Sequence, residues 1–596
     1  MEENEAIKSN ENNKQTKLKK EKKQKSKNGK LKKPFNLTIN FTIVAIILVA
    51  VYAIAITPIT FQNDTYYTIK IGELIKNNGI DMMDHFSWHQ GLKYTYPHWL
   101  YDFCTYLVYS VGGFRGVYIL TCILAAMLGI SLFLVNTKIT KSRVISFVIS
   151  MLSIYILNDY IAARAQLVTF ILFIWELYFI EKFIENRKIR YAIGLVIIAT
   201  AIANLHCAVW PFFFVIFLPY VAEYIIAVIA DSIIYNKSRI AAIKHKMKVA
   251  QKKNNLERLK ELQVKLDEQL AKNEKIKAKR EDGNNSYKLV IKRKENVKYL
   301  IIVMAICALT GLLTPLKDTP YTYLYKTMKG NTTQNISEHL PMTLSENTEA
   351  MCILVIFLAI LIFTKVKIRL SDLFMIAGLC YLMLASRRQL SMFTLICSVI
   401  LGKMIVELIN TYTKGDVLDQ LERIFSDYRI TIALVILVSL MCWNARNQRK
   451  DDQFVNTKSY PVAASDFILE NIDLSKARLY NEYNYGSYLL FRGIPVFIDS
   501  RADLYSPEFS GNKDEDIFSD FIDTSSIGKF YEDTFEKYNI THVILKKNSK
   551  TNMIITKTHD ANYKELYSDD NFVVYERLNA EHTQSQLGGI LKVDNN

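Results

Sequence analysis

About eleven near-uncharged apolar runs constrain this chain more than any other feature. They fall near 37–58, 114–136, 143–160, 163–184, 190–206, 208–233, 299–316, 349–364, 370–385, 389–409 and 429–445. Crossing the hydrocarbon layer of a bilayer takes roughly 17–25 apolar residues of helix. A 596-residue chain that is 50% apolar and spends that content in such runs is expected to be a polytopic α-helical membrane protein. The first run is not expected to be a cleaved signal peptide. Its apolar core is too long, and its only A-x-A, Ala53-Ile54-Ala55, lies inside the run rather than after it.

The net charge of +16 would suggest nucleic acid if it covered a folded surface, but it is concentrated in two segments. Residues 1–36 hold 12 Lys against 5 Glu, and residues 237–298 hold 20 Lys and Arg against 8 Asp and Glu. These two surpluses exceed the whole net charge, so the remainder is slightly acidic. Both segments are polar and low in complexity, as expected of cytoplasmic parts beside an anionic leaflet. No nucleic-acid partner is therefore expected. The eight cysteines all sit in or beside apolar runs, with no CxxC or Cys/His cluster that would suggest zinc, and read as small hydrophobes.

Lys and Arg kept on the cytoplasmic side set orientation. The Lys-rich N-terminus is expected inside, which sends the first span outward. Alternation then places Lys138/Lys141/Arg143, Arg187/Lys188/Arg190, the 237–298 insert and Lys365/Lys367/Arg369 inside. The segments 60–113, 158–163, 317–348, 386–388 and everything beyond about 446 fall outside. Arg387 and Arg388 break the pattern, because they face outward at a span boundary. Few Gly, Ala and Pro beside many Lys, Ile and Asn fit an AT-rich bacterial genome, hence a bacterial cytoplasmic membrane.

The domain expectation is a Lys-rich tail over 1–36, a transmembrane domain over 37–445 with its first external loop at 60–113, and a basic helical insert over 237–298. A soluble α/β domain over 453–580 and a tail over 581–596 follow. In the insert, Leu256, Leu259, Leu262, Leu266 and Leu270 have helical spacing. This suits a helix hairpin, either as a docking surface or simply as a solvated excursion between spans. In the C-terminal part, Pro461 is expected to open a helix to about Asn471, 477–480, 496–499, 541–545 and 572–575 to form strands, and 513–538 to be helical.

The loop behind the first span is dense in aromatics, His and Asp. It carries Asp64, Tyr67 and Gly72, then Asp84-His85-Phe86-Ser87, then His98-Trp99-Leu100-Tyr101. These match D-x-x-W/Y-x-x-x-x-G, D-x-F-S and H/E-W-L-Y, and the pattern resembles the first external loop of bacterial GT-C-type glycosyltransferases, membrane enzymes that take sugars from polyprenyl-phosphate carriers. Asn481-Glu482-Tyr483-Asn484-Tyr485-Gly486-Ser487-Tyr488-Leu489 and Asp499-Ser500-Arg501 similarly resemble the external domain of such proteins. The resemblance covers both ends of the chain and most of the span pattern, leaving out 1–36 and the insert. It implies a GT-C-like fold and an inverting glycosyltransferase that moves sugar from a lipid phosphate to a saccharide, protein or lipid acceptor.

Such a transfer needs one carboxylate to take the acceptor proton and cationic donors for the phosphate as charge develops on it. Asp64 holds the position of the family's base, though Asp also favours the N-cap of a helix such as 65–77. Many GT-C enzymes show two adjacent carboxylates where this chain has Asn63-Asp64, and closer relatives carry His where it has Thr68. No metal site is expected from that pair, although a divalent cation is left open. Arg387 and Arg388 are expected at the donor phosphate, since guanidinium suits phosphate by bidentate hydrogen bonding; snorkelling to headgroups is the plain alternative. Glu338, in a stretch similar to the family's I-x-E-W-x-P, and His206, in an N-L-H stretch, join Tyr67, Asp84, His85, His98 and Trp99 as expected substrate contacts. The competing expectation is a non-catalytic relative, an envelope-assembly scaffold or a lipid-linked saccharide carrier; a carrier would show internal repeats, and none is seen.

Overall fold

A computed structural model of the chain describes residues 40–281, 288–413, 415–449, 453–512 and 515–578. The expected tails over 1–36 and 581–596 lie outside these residues. One helix lies over each expected apolar run: α1 (Phe41–Ala55), α3 (Trp99–Thr140), α4 (Arg143–Ile156), α5 (Ala165–Asn186), α6 (Ile189–Leu205), α7 (Trp210–Ile234), α10 (Val297–Leu309), α12 (Thr348–Phe363), α13 (Leu370–Ala385), α14 (Leu390–Tyr412) and α15 (Tyr428–Gln448). Between them come α2 (Asn63–Asn78), the insert helices α8 (Lys237–Lys252) and α9 (Leu256–Glu281), and α11 (Thr319–Lys329). Among the described residues, four helical segments are long and apolar enough to cross a membrane: Trp99–Thr140, Cys207–Ile234, Arg387–Tyr412 and Tyr428–Gln448. Six shorter apolar helices accompany them.

The outward faces of these helices are apolar as well as the inward ones. On α1, Ala45, Val49 and Ala53 are fully buried while Ile43, Ile47, Val51 and Ile54 are exposed. Apolar residues repeated along an outer face are costly in water and costless in lipid. The bundle is therefore built for a bilayer, which leaves polar contacts to hold at its ends. The helix α3 runs from the first loop into a span as two helical halves, broken at Gly113, where φ is 55°. That left-handed value suits glycine and turns the chain between the two halves. Half of the expected external loop is consequently helical, in α2 and the start of α3.

The insert helices pair through a small core of Ile243, Ala250, Leu262 and Leu266. Leu256 and Leu270, expected on the same stripe, are exposed. A two-residue parallel pairing of β1 (Leu289–Val290) with β2 (Ile368–Arg369) joins the end of the insert to the turn before α13.

The C-terminal part is an α/β unit whose sheet comprises β3 (Leu479–Tyr480), β4 (His542–Lys546), β5 (Tyr563–Ser568) and β6 (Phe572–Arg577), in the order β3-β4-β6-β5. The β3/β4 pair is parallel and the others antiparallel. Helix α16 (Val462–Asn471) follows Pro461, and α17 (Tyr483–Phe491) runs along α2. Two expectations need correction. Residues 496–499 do not join the sheet, and β5, which is mostly polar, was not foreseen. The Val496 N–H instead donates to the Phe86 carbonyl at 3.2 Å, and the Trp88 N–H donates to the Val496 carbonyl at 3.3 Å. The apolar run 496–498 is thus spent on binding the first external loop. A single buried cluster contains Tyr66, Trp88, Leu92, Tyr94 and Tyr96 from that loop with Tyr480, Tyr485, Val496 and Phe497 from the α/β unit. Tyr94 and Tyr96, both buried, are core residues of this junction.

Two motif glycines serve close approach. A Cβ at Gly72 would lie 2.2 Å from the Asp102 carbonyl oxygen, where α2 crosses α3. At Gly486 it would lie 2.0 Å from the Ile498 carbonyl oxygen. Any side chain at either position would push the loop off its support.

Candidate functional site

At one end of the helix bundle, the first turn of α2, the turn before α5, the loop 317–348, the start of α14 and the α/β unit enclose a cavity of about 530 Å³. Six residues expected from sequence line it: Asp64, Tyr67, His98, His206, Glu338 and Arg388. They come from segments spread over more than 300 positions, and the helix ends bring them together.

Asp64 lies inside the first turn of α2, where the helix starts at Asn63, and no side-chain cap bond forms. The capping alternative is therefore corrected: α2 gains only the favourable placement of a negative charge near its N-terminus. Neighbouring Asn63 donates from Nδ2 to the Tyr483 carbonyl at 2.9 Å and ties α2 to α17. The Asp64 Oδ2 instead meets Arg164 Nη2 at 2.6 Å. The other arm of that guanidinium, Nη1, reaches Glu338 Oε1 at 3.2 Å. Burial penalises the Arg164 charge, but Asp64 and then Glu338 more than offset it and hold the guanidinium above its usual range. Burial likewise pushes the Glu338 carboxyl up, yet Arg164 and Arg388 outweigh it and hold that carboxyl below the usual range.

One turn along α2, the Tyr67 ring stacks on His98 with centroids 5.8 Å apart, and its hydroxyl lies 3.4 Å from His98 Nε2. His98 Nδ1 lies 3.1 Å from Asp102 Oδ2. His206 Nδ1 pairs with Thr169 Oγ1 at 2.9 Å, and its ring stands 5.8 Å from that of His98. This wall of the cavity is aromatic and polar at once, suited to a sugar face with its hydroxyls.

Arg388 also lines the cavity, from a short turn before α14. Among the described residues its guanidinium makes no ion pair, although it faces the cavity. Burial and the nearby Arg388 charge push the His339 imidazole down to about 4, so that ring is neutral at ordinary pH. Farther in, Asp503 accepts hydrogen bonds from the Tyr323 hydroxyl and, at 3.0 Å, from Thr332 Oγ1. Burial raises its carboxyl above the usual range.

Four expected site residues lie off the cavity. Asp84 is fully enclosed, with Arg501 Nη1 at 2.6 Å from its Oδ1 and Ser87 Oγ at 2.5 Å from its Oδ2. Burial works against its charge, but Arg501 and the hydrogen bonds from Ser87 together outweigh burial and hold the carboxyl below the usual range. Arg501 also engages both oxygens of Asp499, at 2.9 and 2.7 Å. His85 pairs with Asp81 at 2.6 Å. The Trp99 indole donates to Asn204 Oδ1 at 3.3 Å. The Arg387 side chain turns away to the Pro341 carbonyl at 3.3 Å and to Glu346 at 3.5 Å. In each case a protein partner already satisfies the polar group expected to meet substrate.

Sequence reasoning missed Arg164, His339 and Asp503. Arg164 falls inside the expected run 163–184, and a lone guanidinium at a run boundary is the signal that marks it, as it is for Arg388. Among the described residues, no group of three or more His, Cys, Asp and Glu is arranged to hold a metal ion.

No protein-family model and no curated protein matches the chain. Solved structures do. The apo form of the Archaeoglobus fulgidus oligosaccharyltransferase aligns at a TM-score of 0.50 with 12% identity, covering 90% of this chain and 74% of that one. The archaeal oligosaccharyltransferase AglB from Archaeoglobus fulgidus, in complex with an inhibitory peptide and a dolichol-phosphate, aligns at 0.48 with 12% identity, over 93% of this chain and 75% of that one. At such identity the likeness speaks to fold alone. This chain is a multi-pass membrane protein of GT-C-like fold with a C-terminal α/β domain.

Proposed function

We propose that this protein is a glycosyltransferase that moves a sugar from a polyprenyl-phosphate donor to a cell-envelope acceptor on the outer face of a bacterial cytoplasmic membrane. The observation that carries this reading is the convergence of Asp64, Glu338 and Arg388 on one cavity at the end of an apolar helix bundle. The donor's tail stays in the bilayer, and its phosphate rests against Arg388, whose guanidinium makes no direct ion pair among the described residues. The acceptor hydroxyl attacks the anomeric carbon from the Asp64 side. A carbon–oxygen bond to the acceptor forms as the bond to the phosphate oxygen breaks, and inversion results. The hydroxyl proton passes to the Asp64 carboxylate, and the polyprenyl phosphate leaves with the bonding pair. A phosphate is already a weak base, so the leaving group needs no general acid; cationic contacts suffice to stabilise it. Tyr67, His98 and His206 supply the wall on which the sugar rests. In this orientation the N-terminus and the 237–298 insert are cytoplasmic and the α/β domain is external.

The test is transfer by the purified full chain in vesicles, using radiolabelled lipid-linked sugars extracted from the host membrane. Wild type should release label to an acceptor. The Asp64→Asn variant should be slower by the ~10²–10⁴-fold that general base catalysis typically contributes. The Asp64–Arg164 ion pair favours one second reading, a scaffold that binds a lipid-linked saccharide without transferring it. Retained donor binding with no transfer by wild type, given any acceptor fraction of the envelope, would support the scaffold.

A further inference from the structure

Two carboxylates from distant segments, Asp64 and Glu338, face one cavity. Such a pair is the usual beginning of a divalent-cation site, since magnesium and manganese are held through one or two protein carboxylates with water and phosphate completing the shell. Here the space between the two acids is filled by protein. Arg164 places Nη2 2.6 Å from Asp64 and Nη1 3.2 Å from Glu338. A metal bridging the same oxygens would lie against the guanidinium, with the Arg388 charge also close to Glu338. The neighbouring imidazole, His339, lies on the Glu338 turn and does not reach across to Asp64 as a third shared ligand.

We propose that Arg164 is the resident cation of this site. It occupies the position between Asp64 and Glu338 that a divalent metal would take, fixes the orientation of the Asp64 carboxylate, and makes the site independent of divalent ions. Arg164 is thus a positioning residue that acts through Asp64. The guanidinium suits this task because its fork spans two acceptors at fixed separation and it stays protonated at any working pH. A lysine ammonium would keep the charge but lose the fork. The role assigned to Asp64 rests on the glycosyltransferase reading; the occupancy of the carboxylate pair does not.

The experiment is a manganese titration of the purified full chain, following the free Mn²⁺ signal by electron paramagnetic resonance. Wild type and Arg164→Lys should leave Mn²⁺ free through the micromolar range. Arg164→Ala should bind one equivalent at least tenfold more tightly, and adding Asp64→Asn should abolish that gain. A purely structural role for Arg164 would not create such a site. Wild-type transfer, where measurable, should be unchanged by EDTA, with Arg164→Lys retaining more of it than Arg164→Ala. One tightly bound Mn²⁺ in wild type, lost in Asp64→Asn, would overturn the proposal. That titration needs only wild type and Asp64→Asn, so it decides even if Arg164→Ala does not fold. Absence of transfer together with absence of Mn²⁺ binding would sink the functional reading and leave this one standing.

Discussion

Arg501 and Arg164, two of the arginines flanked by two carboxylates, sit in opposite surroundings. Arg501 sits between Asp84 and Asp499 with side-chain exposures of 2%, 1% and 0%. Arg164 sits between Asp64 and Glu338 with exposures of 23%, 18% and 48%. The charges are the same and the distances similar, yet the side chains of one trio are almost fully enclosed, although Arg501 is among the residues lining the cavity, and those of the other open on it. In the sealed trio the hydrogen-bonding capacity is spent inside the protein. Asp499 additionally accepts from the Tyr505 hydroxyl at 2.5 Å, and Asp84 from Ser87. Such a trio joins the first loop to the α/β domain and has little left for a substrate. The open trio keeps oxygen surface toward the cavity, and an incoming hydroxyl can reach it. On the proposed reading, solvent access, more than residue type, separates structural from functional charge here.

The largest stability effect is expected at the sealed arginine. Arg501→Met leaves two enclosed carboxylates without a counter-charge, and breaking a buried pair this way typically costs about 3–5 kcal/mol. Thermal unfolding followed by tryptophan fluorescence should show it, since Trp88 packs in that junction. The pH dependence follows from the direction of the Asp84 shift. A carboxyl held below its usual range stabilises the fold above the ordinary carboxylate value of about 3.9 and loses that contribution as pH falls through the depressed value. The Asp84 contribution should therefore be intact at pH 5. A midpoint for Arg501→Met equal to wild type would erase the comparison.

A smaller effect is expected at Arg388. Hydrogen bonds to charged groups are worth about 1.5–3 kcal/mol, so Arg388→Ala should weaken binding of a polyprenyl phosphate by roughly 10–100-fold. Arg388→Lys should lose less, because it keeps the charge. Isothermal titration in detergent measures both, and equal affinity in Arg388→Ala and wild type would remove Arg388 from the phosphate. The smallest effect belongs to its neighbour. Arg387 is a partly exposed side chain at 3.5 Å from an exposed Glu346, and exposed pairs are worth about 0–1 kcal/mol. Arg387→Ala should change donor affinity by less than about fivefold. A larger loss would place both arginines on the phosphate.

The bundle was legible in the sequence because a membrane span announces itself by continuous apolar length, and each expected run is a helix. Asp64, Tyr67 and His98 were legible because a plain connector between spans needs no cluster of aromatics, His and Asp. What local pattern does not carry is who pairs with whom. Asp84 and Arg501, 417 positions apart, each belonged to a motif, and only the folded chain shows that they neutralise one another. Residues 496–499 read as a strand because an apolar run bound by an external loop looks the same as one bound by a sheet. Arg164 was hidden in the first positions of an apolar run. Its significance rests on Asp64 and Glu338, both far away in the chain.

The central claim is that the open trio performs chemistry and the sealed trio holds structure. Asp64→Asn and Asp84→Asn make the same chemical change in each, removing a charge at constant shape. Single-turnover transfer from a radiolabelled lipid-linked sugar and the thermal midpoint should be measured on both variants in the same vesicles. The account predicts a crossed result: Asp64→Asn loses ~10²–10⁴-fold in transfer rate at a midpoint near wild type, whereas Asp84→Asn loses thermal stability and, below its midpoint, transfers at close to the wild-type rate. Near wild-type transfer by Asp64→Asn would contradict it.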